Sequence, residues 1–187
     1  GHAIHNLKID GVAFDADGKP DTKTSKIAVS LFGFVGEKGT IKNLSIASDC
    51  ELRALNYASG VAAVNYGKVF NCKNYAKITT TDKYAAGIVA LNQGGATVEQ
   101  CYNAGHIVTG GSYAAGIAAY SLGTVRNSQN DGYILGDSIT PGRKAGAQQD
   151  HLKFCHLGRL QREAAEADPA AAAVQRQNFA TALASRL

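Results

Sequence analysis

The stretch YAAGIVALNQGGATVEQCYNAGHIV occupies Tyr84–Val108, and its reading decides the fold. YAAGIAAYSLGTVRNSQNDGYIL follows it from Tyr113, and YASGVAAVNYGKVFNCKNYAKI precedes it from Tyr57. Aligned on Gly60, Gly87 and Gly116, the three copies stand 27 and 29 residues apart, and a more divergent copy carries Gly33 a further 27 residues upstream. Each copy continues with a turn, then a β-branched residue (Ile41, Val69, Val98, Val125). Three positions later stand Leu44, Cys72, Cys101 and Ser128, and two further on Ile46, Asn74, Asn103 and Asn130. Ile78, Ile107 and Ile134 close the last three copies. A repeat of this length is the signature of a stacked array, in which each unit covers the face of its neighbour.

The repeats are rich in Gly, Asn, Thr, Val and Ile, with turn residues every few positions and no sustained 3.6-residue period, which excludes a helical solenoid. The expected fold is all-β, a right-handed parallel β-helix-like solenoid of about four to five coils. About three strands per coil are expected, around AGIVA, ATVEQC and GHIV in the third copy. Equivalent residues would then stack about 4.8 Å apart. The stack predicts an amide ladder of Asn74, Asn103 and Asn130, a tyrosine stack of Tyr57, Tyr84 and Tyr113, and inward rows of valine and isoleucine. Ala86–Gly87 and Ala115–Gly116 would allow close packing where a strand leaves a corner. IHNLKI at Ile4–Ile9 matches IKNLSI at Ile41–Ile46, so the chain is expected to open in the second half of a coil.

This pattern resembles the GLUG-type repeat of bacterial surface and secreted proteins. That repeat reads Tyr-x-Gly-Gly-Ile-x-Gly, then Asn and Gly, then Ile-x-Asn-Cys-Tyr-Asn-x-Gly. The resemblance covers roughly residues 27–136. One glycine of the Gly-Gly pair is Ser59, Ala86 or Ala115 here, and Ala62, Ala90 and Ala119 occupy small positions downstream. Such repeats occur in adhesin-like proteins and in non-catalytic regions of large secreted proteases. The resemblance therefore implies an extracellular or cell-surface bacterial scaffold.

Two segments depart from the repeat. FDADGKPDTKTSK, residues 14–26, is expected to protrude as a polar loop from the solenoid domain of residues 1–140. From residue 141 the composition turns to Ala, Gln, Arg and Leu, good helix formers, and only Gly158 of the 21 glycines lies beyond residue 150. For this tail (141–187) three readings stand side by side: a cap on the last coil, a disordered or non-native extension, and a partner-binding helix.

The composition, with 45% hydrophobic and 18% charged residues, argues against disorder for most of the chain. A net charge of +4 without a basic cluster beside aromatics gives no reason to expect nucleic acid as a partner. No apolar run approaches the roughly 18 residues of a membrane span, and the opening GHAIHNLKID lacks the pattern of an export signal.

Chemistry-bearing residues are sparse. Asp15, Asp17 and Asp21 alternate around Gly18 as in oxygen-rich calcium loops. They miss the EF-hand spacing, and an Asp-Gly turn explains them equally. Cys72 and Cys101 are expected as neighbours in a buried, reduced ladder, with Cys50 and Cys155 unmatched. His151, Cys155 and His156 lack zinc-motif spacing. Among Asp82, Lys83, Glu99, Arg126 and Asp131 no close acid–base pair recurs, and His106 reads as a lone surface residue. No catalytic residue and no cofactor are assigned. The expected function is a non-catalytic adhesive module or rigid spacer with a glycan or host protein as partner. Its contacts would be Tyr66, Asn92, Gln93 and Leu122 in the aligned turns, together with the Asp15–Asp21 loop. The alternative is a fragment of a β-helical carbohydrate-active enzyme, a polysaccharide lyase or hydrolase.

Overall fold

The computed structural model describes residues 1–111 and 113–136. The expectations for residues 137–187, including Cys155 and the helical tail, lie outside the described residues. The chain opens with β1 (His2–Ile4) and β2 (Lys8–Asp10), then winds through four turns of five short strands each. Turn 1 holds β3 (Ala28–Val29), β4 (Phe32–Val35), β5 (Thr40–Lys42), β6 (Leu44–Ile46) and β7 (Glu51–Ala54). Turn 2 holds β8 (Tyr57–Ser59), β9 (Ala62–Asn65), β10 (Lys68–Phe70), β11 (Lys73–Asn74) and β12 (Lys77–Thr80). Turn 3 holds β13 (Tyr84–Ala86), β14 (Val89–Asn92), β15 (Thr97–Glu99), β16 (Tyr102–Asn103) and β17 (Ile107–Thr109). Turn 4 holds β18 (Tyr113–Ala115), β19 (Ala118–Ser121), β20 (Thr124–Arg126), β21 (Gln129–Asn130) and β22 (Ile134–Leu135).

Equivalent strands of successive turns pair in parallel to give five sheets, numbered one to five in the order in which a turn visits them. Sheets one to three have four strands, and sheets four and five gain a fifth from β1 and β2. The molecule is thus the expected parallel β-solenoid, and no helix occurs among the described residues.

The turn has five strands where about three were expected, because two corners cut through apparently continuous runs. AGIVA is split at Gly87–Ile88, between β13 and β14. ATVEQC ends where Gln100 takes φ 53°, and β16 starts two residues later. Asn43, Asn71 and Asn127 stand at the same corner with φ of 57°, 49° and 50°. This left-handed conformation is one that asparagine tolerates better than most residues, and Asn71 Nδ2 donates to Asn43 Oδ1 of the adjacent turn at 2.8 Å.

The opening register also differs from expectation. Ile4 pairs with Ile46 rather than lying over Ile41, and Ile9 pairs with Leu52. The similarity of IHNLKI to IKNLSI reflects two different corners that each need a left-handed asparagine, Asn6 (φ 56°) and Asn43.

The interior consists of rows along the axis. Ile78, Ile107 and Ile134 are in register with Leu52 and fully buried. Val69 and Val98 are likewise buried, while Val125, in the last turn, is half-buried. Asn74 Nδ2 donates to Asn103 Oδ1 at 2.7 Å, and Asn103 Nδ2 to Asn130 Oδ1 at 2.6 Å, forming the expected amide ladder. The same amides donate to the carbonyls of Ala76, Gly105 and Gly132, so their buried N–H groups find partners. The ladder also explains the repeated glycine. A Cβ on Gly60 would lie 2.7 Å from Asn74 Oδ1, and on Gly87 or Gly116 it would collide with Asn103 or Asn130.

Candidate functional site

The aligned turns follow sheet two. Asn65, Asn92 and Ser121 end its strands and pair in register. They form a second internal ladder: Asn65 Nδ2 donates to Asn92 Oδ1 at 2.9 Å, and Asn92 Nδ2 donates to Ser121 Oγ at 3.0 Å. Asn92 is therefore fully buried and cannot be a contact residue. Its expected exposure rested on its place in a turn, whereas its amide is consumed by the ladder.

Tyr66 (39% exposed) and Leu122 (42%) do face solvent, and Gln93 is half-buried. Lys68 N bonds Gly39 O, Thr97 N bonds Gly67 O, and Thr124 N bonds Ala96 O, so Gly39, Gly67 and Ala96 occupy one row. Gly94 and Gly95 are two extra residues in turn 3, closed by a bond from Ala96 N to Gln93 O and by a positive φ of 82° at Gly95.

Tyr66 and Leu122 border an apolar band on sheet two. Phe34, Val64, Leu91 and Tyr120 are in register there, each at least partly open, with Phe34 at 63%. The Phe34 and Tyr66 rings sit 5.2 Å apart. Tyr120 meets Tyr84 edge-on at 6.2 Å, which joins the band to the stack of Tyr57, Tyr84 and Tyr113 on sheet one. In that stack the rings lie 5.2 and 4.7 Å apart at 5° and 8°. Burial, then the neighbouring phenols, pushes the Tyr84 hydroxyl up.

On sheet three the carboxylate of Glu99 bonds Arg126 Nη2 at 2.9 Å and Lys68 Nζ at 3.5 Å. The Arg126 bond, with the charges of both cations, holds its carboxyl below the ordinary range. This one carboxylate ties together turns 2, 3 and 4. Among the described residues the side-chain bonds and ion pairs of this carboxylate run to these two cations.

The loop of residues 14–26 is a small hairpin, with Phe14 bridged to Pro20. Asp15 Oδ1 accepts from the N–H groups of Asp17 and Lys19. Asp21 accepts from Lys23 N–H and from Thr24 Oγ1, and the Thr24 hydroxyl is the first cause of its lowered carboxyl. Asp15 and Asp21 thus cap turns of the hairpin itself. Among the described residues no three His, Cys, Asp or Glu side chains gather closely enough to hold a metal ion.

Cys72 and Cys101 are buried, unbridged and flanked in the stack by Leu44 and Ser128, whose hydroxyl accepts from Cys101 N–H. The Cys72 thiol beside it, then burial, pushes the Cys101 thiol up. Cys50 is also free, and its sulfur accepts from Leu7 N–H at 3.3 Å. No helix among the described residues is long and apolar enough to cross a membrane. Comparison with protein-family models, curated proteins and solved structures returned no match.

Proposed function

We propose that this chain is a non-catalytic adhesive module, a stiff segment of a bacterial cell-surface or secreted protein whose partner is a glycan or a host protein. The carrying observation is the division of labour between inside and outside. The asparagine side chains of the two internal ladders bond to the next turn, while large apolar side chains stand in the open along sheet two. Contiguous exposed apolar surface on a folded protein marks an interaction site. Tyr66, Leu122 and Phe34 are the contacts, with Gln93 at the margin. The GLUG-type resemblance supports the surface or secreted setting.

The test presents the immobilised chain to a glycan array and to a panel of extracellular-matrix proteins, with a parallel reducing-sugar assay on polysaccharides. Binding weakened by Tyr66→Ser and Leu122→Ser, without sugar release, is the expected result. Polysaccharide turnover that is lost on replacing a carboxylate of this chain overturns the reading. Silence in every arm reduces it to a plain spacer.

A further inference from the structure

The corner between sheets four and five carries an outward grid of three by three residues. Along each turn exposed or half-exposed positions alternate with buried ones: Lys73, Tyr75, Lys77; then Tyr102, Ala104, His106; then Gln129, Asp131, Tyr133. The rows are in register, since Lys73 pairs with Tyr102 and Tyr102 with Gln129 at one side, and Ile78 pairs with Ile107 and Ile107 with Ile134 at the other. The middle column is fixed by bonds from Ala104 N to Asn74 O and from Asp131 N to Asn103 O. Adjacent rows lie about 4.8 Å apart. Ala104, the smallest residue of the nine, is at the centre. This small side chain has Tyr102 and His106 beside it along its own turn, Tyr75 in the row below and Asp131 in the row above.

The rim is chemically specific. Tyr102 Oη donates to Asp131 Oδ2 at 3.0 Å, and Gln129 Nε2 donates to both Asp131 oxygens at 2.9 Å. The carboxylate is thereby held in one orientation with acceptor capacity remaining, since its two oxygens offer about four lone-pair sites. Tyr75 and Tyr102 meet at 60° with centroids 6.0 Å apart, and His106 and Tyr133 at 56° and 6.0 Å. This differs from the stack of Tyr57, Tyr84 and Tyr113, where nearly parallel rings cover one another's faces. Tilted, partly exposed rings keep apolar surface available, and the polar groups among them supply direction.

We propose that this grid is a carbohydrate subsite for an uncharged, hexose-containing polysaccharide. It rests on the adhesive reading above and adds to the sheet-two contacts a second one on a different face. A sugar ring would sit over Ala104, its C–H surface against Tyr75 and Tyr102, its hydroxyls donating to Asp131 and bonding Gln129 and His106. An acidic sugar would bring its own carboxylate against Asp131, which selects for a neutral chain.

The probes are mannan, dextran and laminarin, with polygalacturonate and heparin as acidic comparators, applied to the full chain. The variants are Ala104→Arg, which puts a bulky side chain at the centre of the grid, and Asp131→Asn, which keeps the side chain's shape and removes the charge. Lys42→Ser, at an exposed position on sheet three, serves as the control away from both proposed contact faces, and melting curves check the fold of all. The expected result is neutral-polysaccharide binding weakened roughly tenfold or more by each grid variant, the size of effect typical of a central contact, and unchanged by the Lys42→Ser control. Unchanged binding in both grid variants overturns the subsite, and if Tyr66→Ser with Leu122→Ser then weakens binding the adhesive reading survives. No binding of any neutral polysaccharide, or preference for the acidic ones, also overturns it, whereas the adhesive reading is then decided by the matrix-protein arm.

Discussion

Gly87 is where the demands of this fold on one residue are sharpest. A methyl group there would collide with the Gly116 carbonyl and the Asn103 amide, one belonging to the backbone of the next turn and the other to the central ladder. Neither can retreat without breaking bonds to further turns. Gly87→Ala should therefore destabilise the protein by about 1–3 kcal/mol, the usual cost of overpacking. A denaturant titration measures this directly, and an unchanged midpoint would place the amide ladder elsewhere. Cys72 and Cys101 carry a second prediction at this scale. Both are buried, and the raised thiol of Cys101 keeps it from ionising at neutral pH. Thiol labelling followed by site-resolved mass spectrometry should find both slow in the native protein and fast in denaturant. Rapid native labelling of the pair would contradict their placement.

Elements here are short strands whose identity comes from their place in a row. The Lys68–Glu99–Arg126 row joins three turns across sheet three. Because Arg126 and Lys68 lower the folded-state value of Glu99, the row stabilises fully above the ordinary carboxyl value near 4.5 and loses that contribution as pH falls through the lower folded value. The melting temperature of Glu99→Gln should thus lie below that of the unaltered protein at neutral pH, with the gap closing under acid conditions; a constant gap would mean that the carboxylate charge is irrelevant. The link after β14 supplies another test. Deleting Gly94 and Gly95 leaves Gln93–Ala96 between the same row positions that Tyr66–Gly67 joins in turn 2, so register should persist. Stability should shift by no more than about 1 kcal/mol, since loop length enters only logarithmically, and loss of a cooperative melt would refute the row assignment. These rows were legible in the sequence because they repeat: the Tyr positions keep one spacing to the aligned glycines, and the Cys, Asn and Ile positions keep one spacing from the Val of each copy. Corners were not, because Gln100 looks like strand until its left-handed conformation is seen. Neither was the Ala104 grid. Its nine residues differ from turn to turn, and aligning repeats averages away such differences. The burial of Asn92 was hidden for a related reason, since its local signal is that of a turn and only the neighbouring turns convert it into core.

At the scale of the whole molecule, cohesion is a chain of nearest-neighbour contacts between turns, so stability is distributed along the axis rather than held at one centre. In sheets one to three, β3, β4 and β5 are edge strands with a neighbour on one side only, while β8 to β10 and β13 to β15 are paired on both. Side-chain exposure follows the same gradient. Phe32 and Phe34 on β4 are open to solvent, whereas Ala62 and Val89, in register with Phe32, are buried. Local opening draws on elements with few buried contacts and exposed backbone bonds. Hydrogen exchange should therefore be fastest in Phe32–Val35, slower in Ala62–Asn65 and slowest in Val89–Asn92. The comparison is internal to one sheet, so differences in strand type cannot produce it. Destabilising the middle with Gly87→Ala should narrow the gradient by raising exchange in turns 2 and 3 more than in turn 1. Uniform protection along sheet two, unaltered by that substitution, would mean that the solenoid opens as a single unit and that its turns are not separable in energy.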